Sequence, residues 1–195
     1  MIILKTKMKK NEILLVAESL VSKIRIKKSK LKRVYFIILT GIPGSGKTTI
    51  SRGLEKRFNF IKISTDRIKN YLIKTKYDFS LKDLFGIQME MFKLLMIRNT
   101  NLISDSNNDL TKYRKRLKKM AKDHGYIPIV IYIKVDLETA YQRFIKRKSI
   151  KDSRRIYKKI RKFNNSLQIP RKAFVLNGNY NKNKFIKEIN KVFLK

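Results

Sequence analysis

The 195-residue sequence contains no cysteine. That excludes a disulfide framework, thiolate metal ligation and a cysteine nucleophile, and suits a reducing compartment, so a cytoplasmic location is expected. Long hydrophobic runs are also missing, since no apolar stretch approaches the roughly 18–20 residues needed to span a bilayer. The short apolar stretch Ile13–Val16 is soon followed by Glu18 and lacks a small-residue cleavage site, so it does not read as a signal peptide. No repeat at solenoid spacing is visible. Acidic residues are scarce: 14 Asp and Glu face 49 Lys and Arg, a formal charge of +35.

Two explanations compete for that charge. Lysine, isoleucine, asparagine, phenylalanine and tyrosine are all plentiful, as AT-rich coding would produce, but glutamate should rise with the same bias and has not. The other explanation is a polyanionic partner, usually nucleic acid, with an anionic membrane surface as the lesser alternative.

Residues 1–33 read as an N-terminal extension. Ile13, Leu14, Ala17, Leu20, Val21 and Ile24 recur at helical spacing, and Lys23, Arg25, Lys27, Lys28, Lys30, Lys32 and Arg33 follow. Such a segment fits a helix packed on the core with a solvated basic tail. It fits equally a nucleic-acid clamp or a membrane-surface helix.

From 34 to 195 the pattern is that of one α/β domain, long enough to bury a core. Strands are expected at Val34–Thr40, Phe60–Ile63, Asn101–Ser104, Ile127–Val135 and Ala173–Leu176. Helices are expected from Gly46, at 66–74, at 80–98 with Leu84, Gln88, Met91 and Leu95 on one face, from Leu110 to near Gly125 with Leu110, Tyr113, Leu117, Met120 and Ala121 on its apolar face, and at 136–146 and 182–194. The basic stretch 146–162 reads as a lid of two short helical pieces. Strands alternating with helices predict a five-stranded parallel sheet covered on both faces, with right-handed crossovers.

The first strand runs into Gly41-Ile42-Pro43-Gly44-Ser45-Gly46-Lys47-Thr48-Thr49, and a helix follows. This is the phosphate-binding arrangement GxxxxGK[ST]. Glycines let the loop curl so that backbone N–H groups meet the phosphates, and the helix N-terminus adds positive potential. Lys47 is placed for the β/γ-oxygens, and the Thr48 hydroxyl for Mg²⁺. The pattern arises by accident in on the order of one chain in a hundred of this length, and a chance match would rarely fall between a strand and a helix. Nucleotide binding is expected to be of ATP.

Other candidates lie at strand ends. Asp66 follows the second strand, where a carboxylate can take the proton of an attacking hydroxyl; Thr65 or Asp66 would equally cap the next helix. Asp105 ends the third strand, as a metal-supporting carboxylate or an Asx-turn residue. Arg143 and Arg147, four apart on one helix face, fit a lid that neutralises phosphoryl charge, or a solvated face. His124, beside Gly125, reads as a helix C-terminal residue.

Together these segments resemble P-loop kinases with an AAA-like ATP-binding domain, the group that includes polynucleotide 5′-hydroxyl kinases and seryl-tRNA kinases. The resemblance runs from about Val34 to Phe163. It rests on the loop at 41–49, Ser64-Thr65-Asp66, Asp105-Ser106-Asn107 with the helix after it, and the RxxxR at 143–147. It implies an α/β P-loop NTPase three-layer sandwich with the five-stranded sheet in the order 2-3-1-4-5, and that Asp66 is the general base, that Asp105 supports the metal site, and that Arg143 and Arg147 contact phosphates. One departure is Lys69, where the polynucleotide kinases carry an acceptor-touching arginine; lysine keeps the charge and loses the bidentate fork.

The expected function is therefore ATP-dependent transfer of the γ-phosphate to a hydroxyl, with a nucleic acid as acceptor. A small-metabolite kinase and a non-enzymatic, ATP-regulated nucleic-acid-binding module are the alternatives.

Overall fold

The run Tyr-Phe-Ile-Ile-Leu-Thr is apolar on both faces of its pleat, so it is stable only when covered on both sides. It forms the central strand β1 (Tyr35–Thr40), all six residues buried. A computed structural model describes residues 8–148, 153–178 and 182–193. β2 (Ile61–Ile63), β3 (Leu102–Ser104), β4 (Ile127–Lys134) and β5 (Phe174–Asn177) join β1 in one sheet of order β2-β3-β1-β4-β5. Every pairing is parallel, with Ile38 level with Ser104 on one side and Val130 on the other. The sheet order is the one expected.

The helices divide between the faces as the pleat requires. α2 (Lys47–Phe58) and α8 (Lys182–Phe193) cover Tyr35, Ile37 and Leu39. There Phe193 meets the rings of Tyr35, Phe58 and Phe60 at centroid separations of 4.8, 5.1 and 5.6 Å, offset contacts that aromatic quadrupoles favour. The opposite face, Phe36 and Ile38, lies under α1 (Lys10–Ser22), α3 (Thr65–Lys74), α4 (Leu81–Met96) and α5 (Thr111–Asp123).

Of the two readings of the N-terminal segment, α1 is core-packed: Val16, Ala17, Leu20 and Val21 are buried in the same cluster as α4. Ser19 Oγ and Tyr71 OH stand 3.0 Å apart, tying α1 to α3. In the tail, Ile24 and Ile26 tuck against this core, while the seven cations between Lys23 and Arg33 are exposed.

α6 (Leu137–Lys148) and α7 (Ser153–Ser166) form the lid side, meeting Ile42 through Ala140, Ile156 and Ile160. Here the expectation of two short helical pieces is corrected. α6 runs on to Lys148, and α7 is a single helix extending past 162 to Ser166, because Ile156 and Ile160, four apart, bury one continuous stripe. Residues 149–152, part of the expected lid, lie outside the described residues. Among the described residues, no helix is long and apolar enough to cross a membrane.

Candidate active site

The glycine-rich loop leaves the carboxyl end of β1, where the chain's path switches from one side of the sheet to the other, the usual position of an α/β ligand crevice. Two glycines are required by geometry. Gly44 has φ +86°, and a Cβ there would run into the Ala140 carbonyl of α6. Gly46, at φ +104°, is the N-cap of α2 and faces open space. Ile42 is buried against Ala140 and Ile160, Pro43 is half-buried, and Thr49 is exposed.

Lys47 Nζ donates to the carbonyls of Gly41 at 2.7 Å and Ile42 at 3.0 Å, so its ammonium lies against the loop. The intrahelical bonds of α2 begin with the N–H groups of Thr49 and Ile50, which reach the Gly46 carbonyl at 3.0 and 3.2 Å, so the N–H groups of Lys47 and Thr48 precede the ladder at the helix start. Ser45 Oγ is turned beneath the loop and, among the described residues, has no partner. A buried hydroxyl left so costs about 1–3 kcal/mol; Ser45 therefore offers the site its backbone, not its hydroxyl. Lysine, helix N-terminus and an open Gly46 together form a cradle that fits a polyphosphate.

Asp105 lies at the end of β3, its N–H bonded to the Ile63 carbonyl at 2.9 Å. Its Oδ2 accepts from Ser51 Oγ at 3.0 Å, and the same hydroxyl donates to the Thr48 carbonyl at 3.1 Å. Ser51, fully buried, thus tethers the carboxylate to the first turn of α2. Thr48 and Asp105 supply the hard oxygen donors that suit Mg²⁺, so the residues present fit that ion.

Asp66 is exposed in the first turn of α3. It is not the helix cap: Ser64 takes that place, accepting from Arg67 N at 3.3 Å. Lys69, three residues on and also exposed, shares a helix face with Asp66. A polar relay fixes this helix start. Gln88, 1 % exposed in the middle of α4, donates to Ser106 Oγ at 2.9 Å, and Ser106 donates to Thr65 Oγ1 at 3.3 Å. The loop after β3 is thereby joined to the helix that carries Asp66.

The other end of that loop is held from inside. Asn108, at φ +47°, donates from Nδ2 to the Leu39 carbonyl at 2.7 Å, and its own carbonyl accepts from Thr40 Oγ1 at 3.1 Å. Arg114 is 4 % exposed. It donates to the carbonyls of Asn108 and Asp109, both at 2.7 Å, to Thr111 Oγ1 at 3.0 Å, and to the Gln168 carbonyl. Burial lowers its pKa, with the Asp109 charge opposing. Gln168 in turn accepts from Thr111 N at 2.7 Å, capping α5 from outside, since Leu110 has no capping side chain. One arginine therefore links the loop after β3 to the chain leaving the lid.

Immediately before α6, the Asp136 carboxylate accepts from Thr139 N at 2.7 Å, which holds its pKa below the usual value. Arg143 donates to the Gly178 carbonyl at 3.0 Å, bridging α6 to the end of β5. A cavity of about 290 Å³ lies there, lined by Lys134, Val135, Asp136, Asn177 and Gly178. Arg147 is one turn further along α6, and its side chain lies outside the described residues. The sheet thus brings the loop, Asp66 and Asp105 to one end. Ser51, Asn108 and Arg114 had no role in the sequence reading; a polar residue on the apolar stripe of an amphipathic helix, as at Gln88, was the only signal available.

Residues 36–170 match the protein family described as AAA domain. The chain belongs to this family. Among characterised proteins it is similar to the shikimate kinase of Clostridium botulinum (strain Loch Maree / Type A3), 34% identical over 119 residues, 57% of this chain and 65% of that protein. The shikimate kinase of strain ATCC 19397 / Type A is 33% identical over the same shares. The matched region therefore spans just under two thirds of those relatives' length.

Among solved structures, the APS kinase CysC of Mycobacterium tuberculosis, in complex with AMPPNP and APS, superposes with a TM-score of 0.63 at 16% identity, covering 84% of this chain and 99% of that one. A gluconokinase from Sinorhizobium meliloti 1021 gives 0.55 at 13% identity, with 83% and 95% covered. Kti12 of Chaetomium thermophilum, in complex with ADP-AlF3, gives 0.61 at 18%, with 81% and 98% covered. At such identities the likeness establishes the fold, that of the P-loop NTPases. The named kinases act on small metabolites, so the expected nucleic-acid acceptor gains no support from them.

Proposed function

We propose that the protein is an ATP-dependent kinase that phosphorylates a hydroxyl of a small metabolite. The observation that carries this reading is the convergence of the phosphate loop, Asp105 and an exposed Asp66, free of the capping role that Ser64 fills, at one end of the sheet. The similarity to shikimate kinases supports the choice of acceptor class.

In this reading Lys47 leaves the loop carbonyls for the β/γ-phosphates, and the first N–H groups of α2 hold the same oxygens. The cavity beside Val135 and Gly178 receives the base, with Arg143 at its border and Arg147 on the same helix. The acceptor oxygen attacks the γ-phosphorus; a new P–O bond forms and the β–γ bridging P–O bond breaks. The acceptor proton passes to the Asp66 carboxylate, leaving ADP and a phosphate monoester. Bound at Thr48 and Asp105, Mg²⁺ supplies neutralisation of phosphate charge. Lys69, on the Asp66 face, supplies a cation to the acceptor side.

A second reading, transfer to a polynucleotide or tRNA-linked hydroxyl, is favoured by the +35 charge. The test is γ-labelled ATP offered with hydroxy acids and sugars (shikimate and gluconate included), with 5′-hydroxyl oligonucleotides, and with bulk tRNA. Lys47→Ala serves as the control. The expected result is label in a small hydroxylated acceptor. Label only in nucleic acid moves the acceptor to the second reading, and label in none, with ATP bound, overturns both in favour of a binding module.

A further inference from the structure

The positive charge is concentrated on particular faces. α7 carries Arg154, Arg155, Lys158, Lys159, Arg161 and Lys162, all six exposed, and no acidic residue. α5 exposes Lys112, Lys115, Arg116, Lys119 and Lys122; its one acid, Asp123, is taken by Lys119 at 2.7 Å. Cations three and four apart repel along both helices. An ordinary solvated face interleaves both signs and avoids that cost. A face of one sign is relieved when a polyanion displaces its counterions.

The two faces are joined. Gln168, two residues beyond the end of α7, accepts from Thr111 N at the start of α5, donates its N–H to the Asp109 carbonyl at 3.0 Å, and gives its own carbonyl to Arg114. Ser166 Oγ reaches Asp109 Oδ2 at 3.4 Å. The end of one basic helix is thus fixed against the start of the other.

The chemistry of the partner follows from what is already covered. α7 spends its apolar stripe on Ile42 and Ala140 through Ile156 and Ile160, and α5 buries Leu117, Met120 and Ala121 in the core. Neither retains an apolar face to insert among lipid chains, as interfacial helices require. What remains is charge, and a linear array of phosphodiesters needs nothing else. We infer that the exposed faces of α5 and α7 form a docking surface for the phosphate backbone of a nucleic acid. This surface is independent of which hydroxyl receives the phosphoryl group.

The test uses the full chain without ATP and a short fluorescein-labelled single-stranded RNA, with a DNA duplex and phosphatidylserine-containing vesicles as parallel arms. Affinity is followed by anisotropy from about 50 to 200 mM salt, where log K should fall linearly with log salt. The α7 variant Lys158→Glu/Arg161→Glu/Lys162→Glu should bind at least about tenfold more weakly, with a slope shallower by about 2, at ~0.7 per lost contact. The variant Lys27→Glu/Lys28→Glu/Lys30→Glu makes the same change in net charge elsewhere and should bind within about twofold of wild type. Melting followed by circular dichroism checks the fold; should the glutamate variant melt early, the glutamine triple variant carries the same directional expectation. Equal loss in both charge variants, undiminished binding by the α7 variant, or binding to vesicles alone overturns the proposal.

Discussion

The two sides of the proposed site are built by different means. On the phosphate side, backbone and buried groups set the geometry: the loop's glycines, the start of α2, and Ser51 binding Asp105 to Thr48. On the proposed acceptor side, exposed side chains on one helix, Asp66 and Lys69, face solvent, and the Ser64 cap and the relay from Gln88 through Ser106 to Thr65 fix where that helix begins. A site made from backbone recognises what every nucleoside triphosphate shares. A site made from a few side chains can change its substrate without disturbing the fold. That difference explains why the nucleotide is evident and the acceptor has to be found by experiment.

The comparison can be broken at either side, and the effects should decline in a set order. Lys47→Ala removes the cation held against the phosphate loop; label transfer should drop about 10²–10³-fold, and ATP affinity measured by calorimetry should fall with it. Arg114→Met removes a donor from each of the carbonyls of Asn108, Asp109 and Gln168, the first two keeping Thr40 Oγ1 and the Gln168 N–H. It should cost about 3 kcal/mol in urea unfolding, and a loss below about 0.5 kcal/mol would show that the junction is dispensable. Gln88→Leu should lower kcat about tenfold while leaving ATP affinity within about twofold, because it loosens only the acceptor side. Lys69→Arg, smallest of all, should change the acceptor KM by less than about threefold and ATP affinity not at all. If Gln88→Leu weakened ATP binding as much as turnover, the two sides would not be separable.

Much of the phosphate side was legible in the sequence. Glycine spacing and an uninterrupted apolar run have few structural solutions, and the sheet order came with the family resemblance they carry. α7 was not legible as one helix, because its basic run hides a stripe of only two buried isoleucines, Ile156 and Ile160. On α5, Tyr113 was expected on the inner face, yet it is 37% exposed and rests on Phe85 at 5.1 Å. Arg114 goes inside instead. A charged residue is read as solvent-facing unless its partners are known, and one of these partners, Gln168, lies 54 residues away. Ser51 and Asn108 escaped notice for the same reason: their value lies in carbonyls and carboxylates that only folding brings near. The preference for a nucleic-acid acceptor came from resemblance and net charge, neither of which describes the acceptor side itself.

The role proposed for Asp66 lies in the chemistry and not in the binding of ATP. Asp66→Asn keeps the size of the side chain and removes the proton acceptor, so a paired measurement of ATP affinity by calorimetry and of label transfer to the accepted substrate decides it. Transfer should fall about 10²–10⁴-fold with ATP affinity within about twofold of wild type. Full transfer by Asp66→Asn, or loss of ATP binding in step with loss of transfer, would contradict it.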